Sequence, residues 1–316
     1  MKRFLTGAAA ALSVAVATTA PAAQDWTPPG PIKLMIAFAA GGGADTQARL
    51  IAEDLEAKLG WQFIPEQVTG KGGLNLAMSL KDAPADGTVI GMVVAETLGY
   101  NMYVADAGLA PSDYTPITTT AGFQMGLVSR GDRGWATFGD VLEAAKAGEA
   151  VRFGVMSDKL ADLAFLLGEA NEVEFNIVQV RGGRAVMDGV NAGDMDLGFM
   201  AGVQSRGVAA GDLVNLASGM STPLTQTPEA PLMRDFGVDF TADGYFMFIG
   251  PAGMPEAART ALAEAIGEAV STEGTKSNGM ISKAFGGPDV VSGAELDAFL
   301  AREWDAAGKL LSAVDQ

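Results

Sequence analysis

The sequence contains neither cysteine nor histidine. Without cysteine there is no disulfide, no thiol nucleophile and no lipid carried on an N-terminal cysteine. A chain of 316 residues, 48% hydrophobic, buries enough surface to fold without such staples. Without histidine the commonest general base and metal ligand are gone. A Ser-His-Asp triad, a Cys-His pair and a His-based zinc site are therefore excluded, and neither a metal nor a cofactor is expected. Positive charge is also scarce, with 21 Lys and Arg against 38 Asp and Glu, a net charge of −17. Such a surface repels nucleic acid and anionic lipid, and it repels anionic ligands at long range. Any anion site must then act through local geometry.

Long hydrophobic runs are missing everywhere except at the start. Lys2 and Arg3 precede an apolar run from Phe4 to Ala17 and a small-residue stretch, Ala20-Pro21-Ala22-Ala23. This is the pattern of a secretory signal peptide, and the run is short of the ~20 residues of a spanning helix. The mature chain is expected to be exported to the periplasm, not inserted in the membrane, and monomeric by default. Loss of the leader takes its net charge to −19.

What is present is an alternation of apolar strands and helical patterns. Ile32 to Phe38 reads as a buried strand. The next segment carries Ala48, Ile51, Ala52, Leu55 and Leu59 at helical spacing, with Gly60 at the C-cap. Strands follow at Trp61–Glu66 and Thr88–Val94, with a helix from about Asn75 to Leu80 between them. Strand–helix–strand–helix–strand with short joints implies a parallel sheet covered by helices. The pattern restarts after a long apolar stretch, Pro116 to Val128. A helix capped by Thr137 precedes strands at Val151–Val155, Phe175–Val180, Met195–Met200 and Leu213–Ala217. A last strand, Tyr245–Ile249, leads to helices at Pro255–Val270 and from Ser292, where Ser292 and Glu295 have capping-box spacing. The stretches near 116–128 and 243–250 read as crossings between two lobes, and so as the hinge. The expected division is a leader over 1–23, one lobe from 24–118 plus 248–316, and the other from 119–247.

Three glycine joints lie between strands and helices: Gly41-Gly42-Gly43, Gly72-Gly73 and Gly182-Gly183. Absent Cβ atoms let a ligand touch backbone N–H groups at a helix N-terminus, where the helix dipole favours an anion. Glycine at such a joint also serves as a plain turn residue. Three joints of one kind in two lobes point instead to a shared cleft for a small anion. The G-x-G-x-x-G and G-x-x-x-x-G-K-[ST] spacings of nucleotide sites are absent. Asp45 is either a favourable first-turn acid or the group that orients the first loop. Arg181 and Arg184 are either surface charges or a partner for the ligand. Glu96 and Thr97 follow the third strand within reach of a cleft, whereas Met92, Met125 and Met200 read as core.

With these joints in view, the chain resembles the tripartite tricarboxylate transporter receptors, the Bug-type extracytoplasmic solute-binding proteins. The fragments that carry the resemblance are IAFAAGGGADTQARL, VTGKGGLN, PADGTVIG, DYTPI, VRGGRAVMDGVNAGDMDLGF and GPAGMP, in family order along nearly the whole mature chain. The resemblance implies an α/β fold, a two-lobed type II periplasmic binding protein with parallel-core sheets and two crossing strands as hinge. It implies capture of a small carboxylic acid and delivery to a two-subunit membrane transporter, with no catalysis. Ala39, Ala40, Gly41, Gly42, Gly43 and Asp45, with Lys71, Gly72, Gly73 and Asn75, would then cradle the carboxylate. Thr97, Ser157 and Asp158 after Val155, Arg181 to Gly183, and Met200 with Ala201 would read the rest of the ligand. The chain departs from the family pattern at Val155–Lys159, at Val180-Arg181 and at Lys71. An Asp158 in the cleft would suit a ligand with an amine or hydroxyl beside its carboxylate. Two other readings remain open from sequence: a receptor that presents its ligand to a sensor kinase, and an exported hydrolase or isomerase working without histidine.

Overall fold

A computed structural model describes residues 26–105 and 107–315. The leader expected over 1–23 lies outside the described residues. β1 (Ile32–Ile36) leads into α1 (Gly43–Leu59), which stops where Gly60 turns left-handed (φ 69°) and donates its N–H to the Glu56 carbonyl. β2 (Phe63–Gln67), α2 (Leu74–Lys81), β3 (Val89–Val94), the single turn α3 (Met102–Val104) and β4 (Tyr114–Gly122) follow. The chain then builds a second unit: β5 (Gly126–Arg130), α4 (Phe138–Lys146), β6 (Arg152–Val155), α5 (Asp158–Ala170), β7 (Asn176–Gln179), α6 (Gly183–Ala192), β8 (Leu197–Met200), α7 (Ser205–Ala210) and β9 (Leu213–Ser218). It returns through β10 (Tyr245–Pro251) and closes with α8 (Glu256–Ser271), α9 (Lys276–Phe285) and α10 (Gly293–Val314).

Two five-stranded sheets result, ordered β2-β1-β3-β10-β4 and β7-β6-β8-β5-β9. In the first, β1 is parallel to both β2 and β3, and β10 runs antiparallel between β3 and β4. In the second, β6 is parallel to both β7 and β8, and β5 runs antiparallel between β8 and β9. In each sheet the antiparallel neighbour of the parallel core is the strand that has just crossed from the other lobe. Parallel strands must be covered on both faces. Their side chains are accordingly buried, Ile32, Leu34 and Ile36 in the first sheet and Phe153 and Phe199 in the second, each worth roughly 1.5–3 kcal/mol of hydrophobic stabilisation.

Four local features differ from the sequence pattern. The apolar stretch 116–128 is not one strand. It breaks at Phe123–Met125, because the Phe123 N–H still bonds Gly244 while the Gln124 carbonyl is taken by the Gln204 side chain. β4 and β10 each belong whole to the first sheet, so the passages between sheets fall at their ends, not within them. The helix α9 escapes the pattern because Gly279, Ser277 and Asn278 give it weak intrinsic propensity. Tertiary contacts hold it: Asp54 accepts from the Ser277 N–H and hydroxyl, and Thr275 caps Asn278. At α10, Ser292 is the N-cap residue but its hydroxyl makes no cap bond; its backbone pairs instead with Thr118 of β4.

Candidate functional site

The carboxyl ends of all six parallel strands open into one cleft. Phe38, Ala39, Gly42 and Gly43 line it after β1, Gly72 after β2, and Glu96 with Asn101 after β3. From the other lobe come Met156 and Ser157 after β6, Arg181 to Arg184 after β7, and Ala201 with Val203 after β8. This is where α/β sheets place ligands, outside the carboxyl edge at the point where the strand order reverses. The enclosed space is about 100 Å³. A water needs ~10–15 Å³ on that measure, so the cleft admits a ligand of several heavy atoms.

The first joint is built around Asp45, which is buried to 4% exposure. Its carboxylate accepts the Gly41 N–H at 2.9 Å, Arg49 Nε at 2.8 Å and Gln67 Nε2 at 3.3 Å. Asp45 thus folds the loop from behind, with its oxygens committed to protein donors. The α1 N-cap, Gly42, offers no side-chain cap. The first-turn N–H groups of α1 therefore face the cleft at a 17-residue helix N-terminus, where the dipole is favourable to an anion. A Cβ on Gly43 would meet Phe285 at 2.9 Å, so glycine is also required for α9 to close over this turn.

The second joint is a left-handed run: Lys71, Gly72 and Gly73 have φ of 49°, 58° and 96°. Lys71 is strained there, since left-handed conformations disfavour a side chain. The turn after β3 holds the run in place. Thr97 Oγ1 donates to the Gly72 carbonyl at 2.8 Å and Asn101 Nδ2 donates to the same oxygen at 3.0 Å. Asn75 Nδ2 donates to Thr69 at 2.9 Å and folds the loop ahead of it. In the second lobe, Ser157 caps α5 by accepting the Leu160 N–H.

Of the residues expected from sequence, Ala39, Gly42, Gly43, Gly72, Glu96, Ser157, Arg181, Gly182, Gly183 and Ala201 are brought together on the cleft wall. Ala40, Gly41 and Lys71 are exposed away from it. Asp45, Gly73, Asn75 and Thr97 stand behind the wall as loop supports. Met200 is core, fully buried at the end of β8. Asp158 is exposed and accepts from Gln179 Nε2 at 2.8 Å, so the acid in the cleft is Glu96 instead. Met125, read as core, lines the cleft. Sequence reasoning missed Phe38, Val94, Phe123, Leu160, Val203, Phe246 and Phe285, which with Met156 make most of the wall apolar. No sequence signal marks them, because an apolar residue beside a strand reads as core.

Two charged groups on the wall stand out. Arg181 is exposed, and among the described residues it forms no ion pair, unlike Arg184, which is bound to Asp188 at 2.9 Å. Glu96 is buried to 8% exposure. Burial pushes its carboxyl above the ordinary 4.5, against the opposing pull of Lys159 and of hydrogen bonds from Ser157 and Asn101.

The profile of the tripartite tricarboxylate transporter family receptors matches residues 47–283. The chain belongs to this family. It is 27% identical over 257 residues to a UPF0065 protein of Agrobacterium vitis, covering 77% of this chain and 72% of that one. Protein BugT of Bordetella pertussis is 26% identical over 266 residues, covering 79% and 80%. Among solved structures, MatC of Rhodopseudomonas palustris with bound malate superposes with a TM-score of 0.77 at 18% identity, over 90% of this chain and 99% of that one. A second R. palustris protein, with adipate, gives 0.80 at 20% identity over 92% and 99%, and the periplasmic binding protein BugD gives 0.80 at 19% over 92% and 99%. The two-lobed binding-protein fold is thereby established for this family member. The family is one of solute receptors, consistent with binding without turnover. No helix among the described residues is long and apolar enough to cross a membrane.

Proposed function

We propose that this protein is a periplasmic receptor that captures a small carboxylic acid between its lobes and delivers it to a two-subunit membrane transporter. One observation carries the reading: glycine-flanked helix N-termini from both lobes, α1 in one and α6 in the other, line a single cleft. The malate and adipate of the structural neighbours support the ligand class. Arg181, without an ion-pair partner among the described residues, supplies a positive charge to the ligand. A ligand touching both lobes stabilises the closed arrangement, and that arrangement is what the transporter recognises. The hinge lies where the chain passes between sheets, at Phe123–Met125 and just before Tyr245. The leader is removed on export, and the mature receptor acts as a monomer.

The test is a thermal-shift screen of the mature protein against mono-, di- and tricarboxylates, amino acids and aromatic acids, with sugars and amines as controls. A ligand at 100 times its Kd stabilises by about 2.7 kcal/mol, several degrees in Tm. Stabilisation by a carboxylate class supports the reading, and stabilisation by non-acids alone sinks it.

A further inference from the structure

The cleft holds a feature that capture of a simple carboxylate does not use. Glu96 stands at the end of β3 with its carboxyl between Asn101 of its own lobe and Ser157 of the other. More than nine-tenths of it is buried, it lines the cleft, and among the described residues no lysine or arginine lies within ion-pair distance of it. Lys159, whose charge pulls on Glu96 from a distance, forms its ion pair with Glu303 at 3.8 Å. Much of the rest of the wall is apolar, with Phe38, Val94, Phe123, Met156, Leu160 and Phe246, and its cations are Arg181 and Arg184 at the joint after β7.

A buried carboxyl without a cationic partner is costly unless something compensates it. Once this carboxyl is ionised, a second carboxylate on the ligand would add a like charge beside it. A ligand carrying a cationic nitrogen would supply the missing partner. The surface charge acts in the same sense, since a net charge of −17 before loss of the leader repels a dianion far more than a molecule with no net charge.

Building on the carboxylate-receptor reading, we propose that the ligand is a zwitterion with a short apolar body, its carboxylate at the glycine joints and its cationic nitrogen on Glu96. Glu96 is then the specificity-determining residue of the cleft. The charged and titratable groups around it are Lys159, Glu303 and the phenol of Tyr100, with Arg181 and Arg184 on the same cleft wall. Because burial favours the protonated acid in the empty cleft, arrival of a cation displaces that proton, and binding strengthens as pH rises through the Glu96 titration.

Isothermal titration calorimetry on the mature protein at pH 7 tests this with two matched sets. One set is norvaline, 5-aminovalerate, valerate and glutarate; the other is phenylalanine, 3-phenylpropionate and phenylsuccinate. The expected result is that an amine-bearing acid binds about tenfold or more tighter than its amine-free parent, the scale of one hydrogen bond to a charged group. Glu96→Gln should erase that preference, and Glu96→Asp should keep part of it. If parent acids bind as well as amino acids, or if glutarate or phenylsuccinate binds best, the zwitterion proposal is overturned and the receptor reading stands. If none of the acids in either set binds, both fall together. The comparison of ligands in the unmodified protein decides the matter even if a variant fails to fold.

Discussion

Tyr100, in the turn after β3, donates its phenolic hydrogen to the carboxylate of Asp162 on α5, fastening one lobe to the other. A second cross-lobe contact, Lys159 to Glu303 at 3.8 Å, lies next to Tyr100. On the far side of the cleft Phe285 packs against Gly202, where a Cβ would meet its ring at 2.5 Å. The lobes are therefore joined by protein contacts flanking the ligand space, and ligand contacts add to these.

Tyr100→Phe removes the hydrogen bond and keeps the ring. The expected cost is about 1 kcal/mol of closure energy, read as roughly fivefold weaker ligand binding and a larger radius of gyration in the ligand-free protein by small-angle scattering. Equal affinity and an unchanged radius would show that the bond does not help hold the lobes together.

Arg181→Ala separates binding from folding. The side chain is exposed and has no ion-pair partner among the described residues, so unfolding in urea should shift by less than about 0.5 kcal/mol. Carboxylate affinity should fall about tenfold or more, as for a lost charge-assisted hydrogen bond. An Arg184→Ala control, whose partner is Asp188, should bind nearly as well as the parent protein.

Asp45→Asn tests the loop support. Three donors, from Gly41, Arg49 and Gln67, converge on this carboxylate, and the neutral amide offers one acceptor oxygen and two mismatched N–H groups. A loss of about 1–3 kcal/mol in urea-unfolding stability is expected, together with weaker binding, since the Gly42-Gly43 amides lose their fixed aim. Full stability with weakened binding would instead mean that Asp45 touches ligand.

The pH dependence follows from the signs of the carboxyl shifts. Burial raises Glu96, Asp162 and Asp289 above their ordinary values of 4.5 and 3.8. The folded state holds these protons more tightly than the unfolded chain, so this contribution is full below the unfolded values and lost as pH rises through the folded ones. Hydrogen bonds from Thr88 lower Asp86, Lys81 lowers Asp113, and the Thr137 and Ala136 N–H groups lower Asp140. Their contribution is full above 3.8 and lost as pH falls through their lowered values. Asp196 joins them because its bonds to Arg152 outweigh its burial. The Tm should therefore rise from pH 8 toward the acid side, peak just above the ordinary carboxylate range, and collapse below it. Circular-dichroism melts of the ligand-free mature protein across pH 3–8 check this, and a maximum at pH 8 would contradict it.

The sequence by itself determined the two α/β units, the order of the strands and the three glycine joints, because strand burial and helix amphipathicity are local periodic signals. It also excluded histidine and cysteine chemistry outright. The motif fragments were enough to point to the receptor family. Tertiary structure alone decided that all six strand ends converge and that the break at Phe123–Met125 separates two sheets. It also decided that Asp45, Asn75 and Thr97 work behind the wall, and that Glu96, not Asp158, is the acid within it. The reason is physical. A strand's apolar residues are written in its own period, but whether Phe38 or Phe285 faces a core or a ligand depends on where the opposite lobe stands. A carboxylate's role depends likewise on which donors the fold brings to it: Asp45 meets Gly41, Arg49 and Gln67, while Glu96 meets Ser157 and Asn101 in a largely apolar cleft.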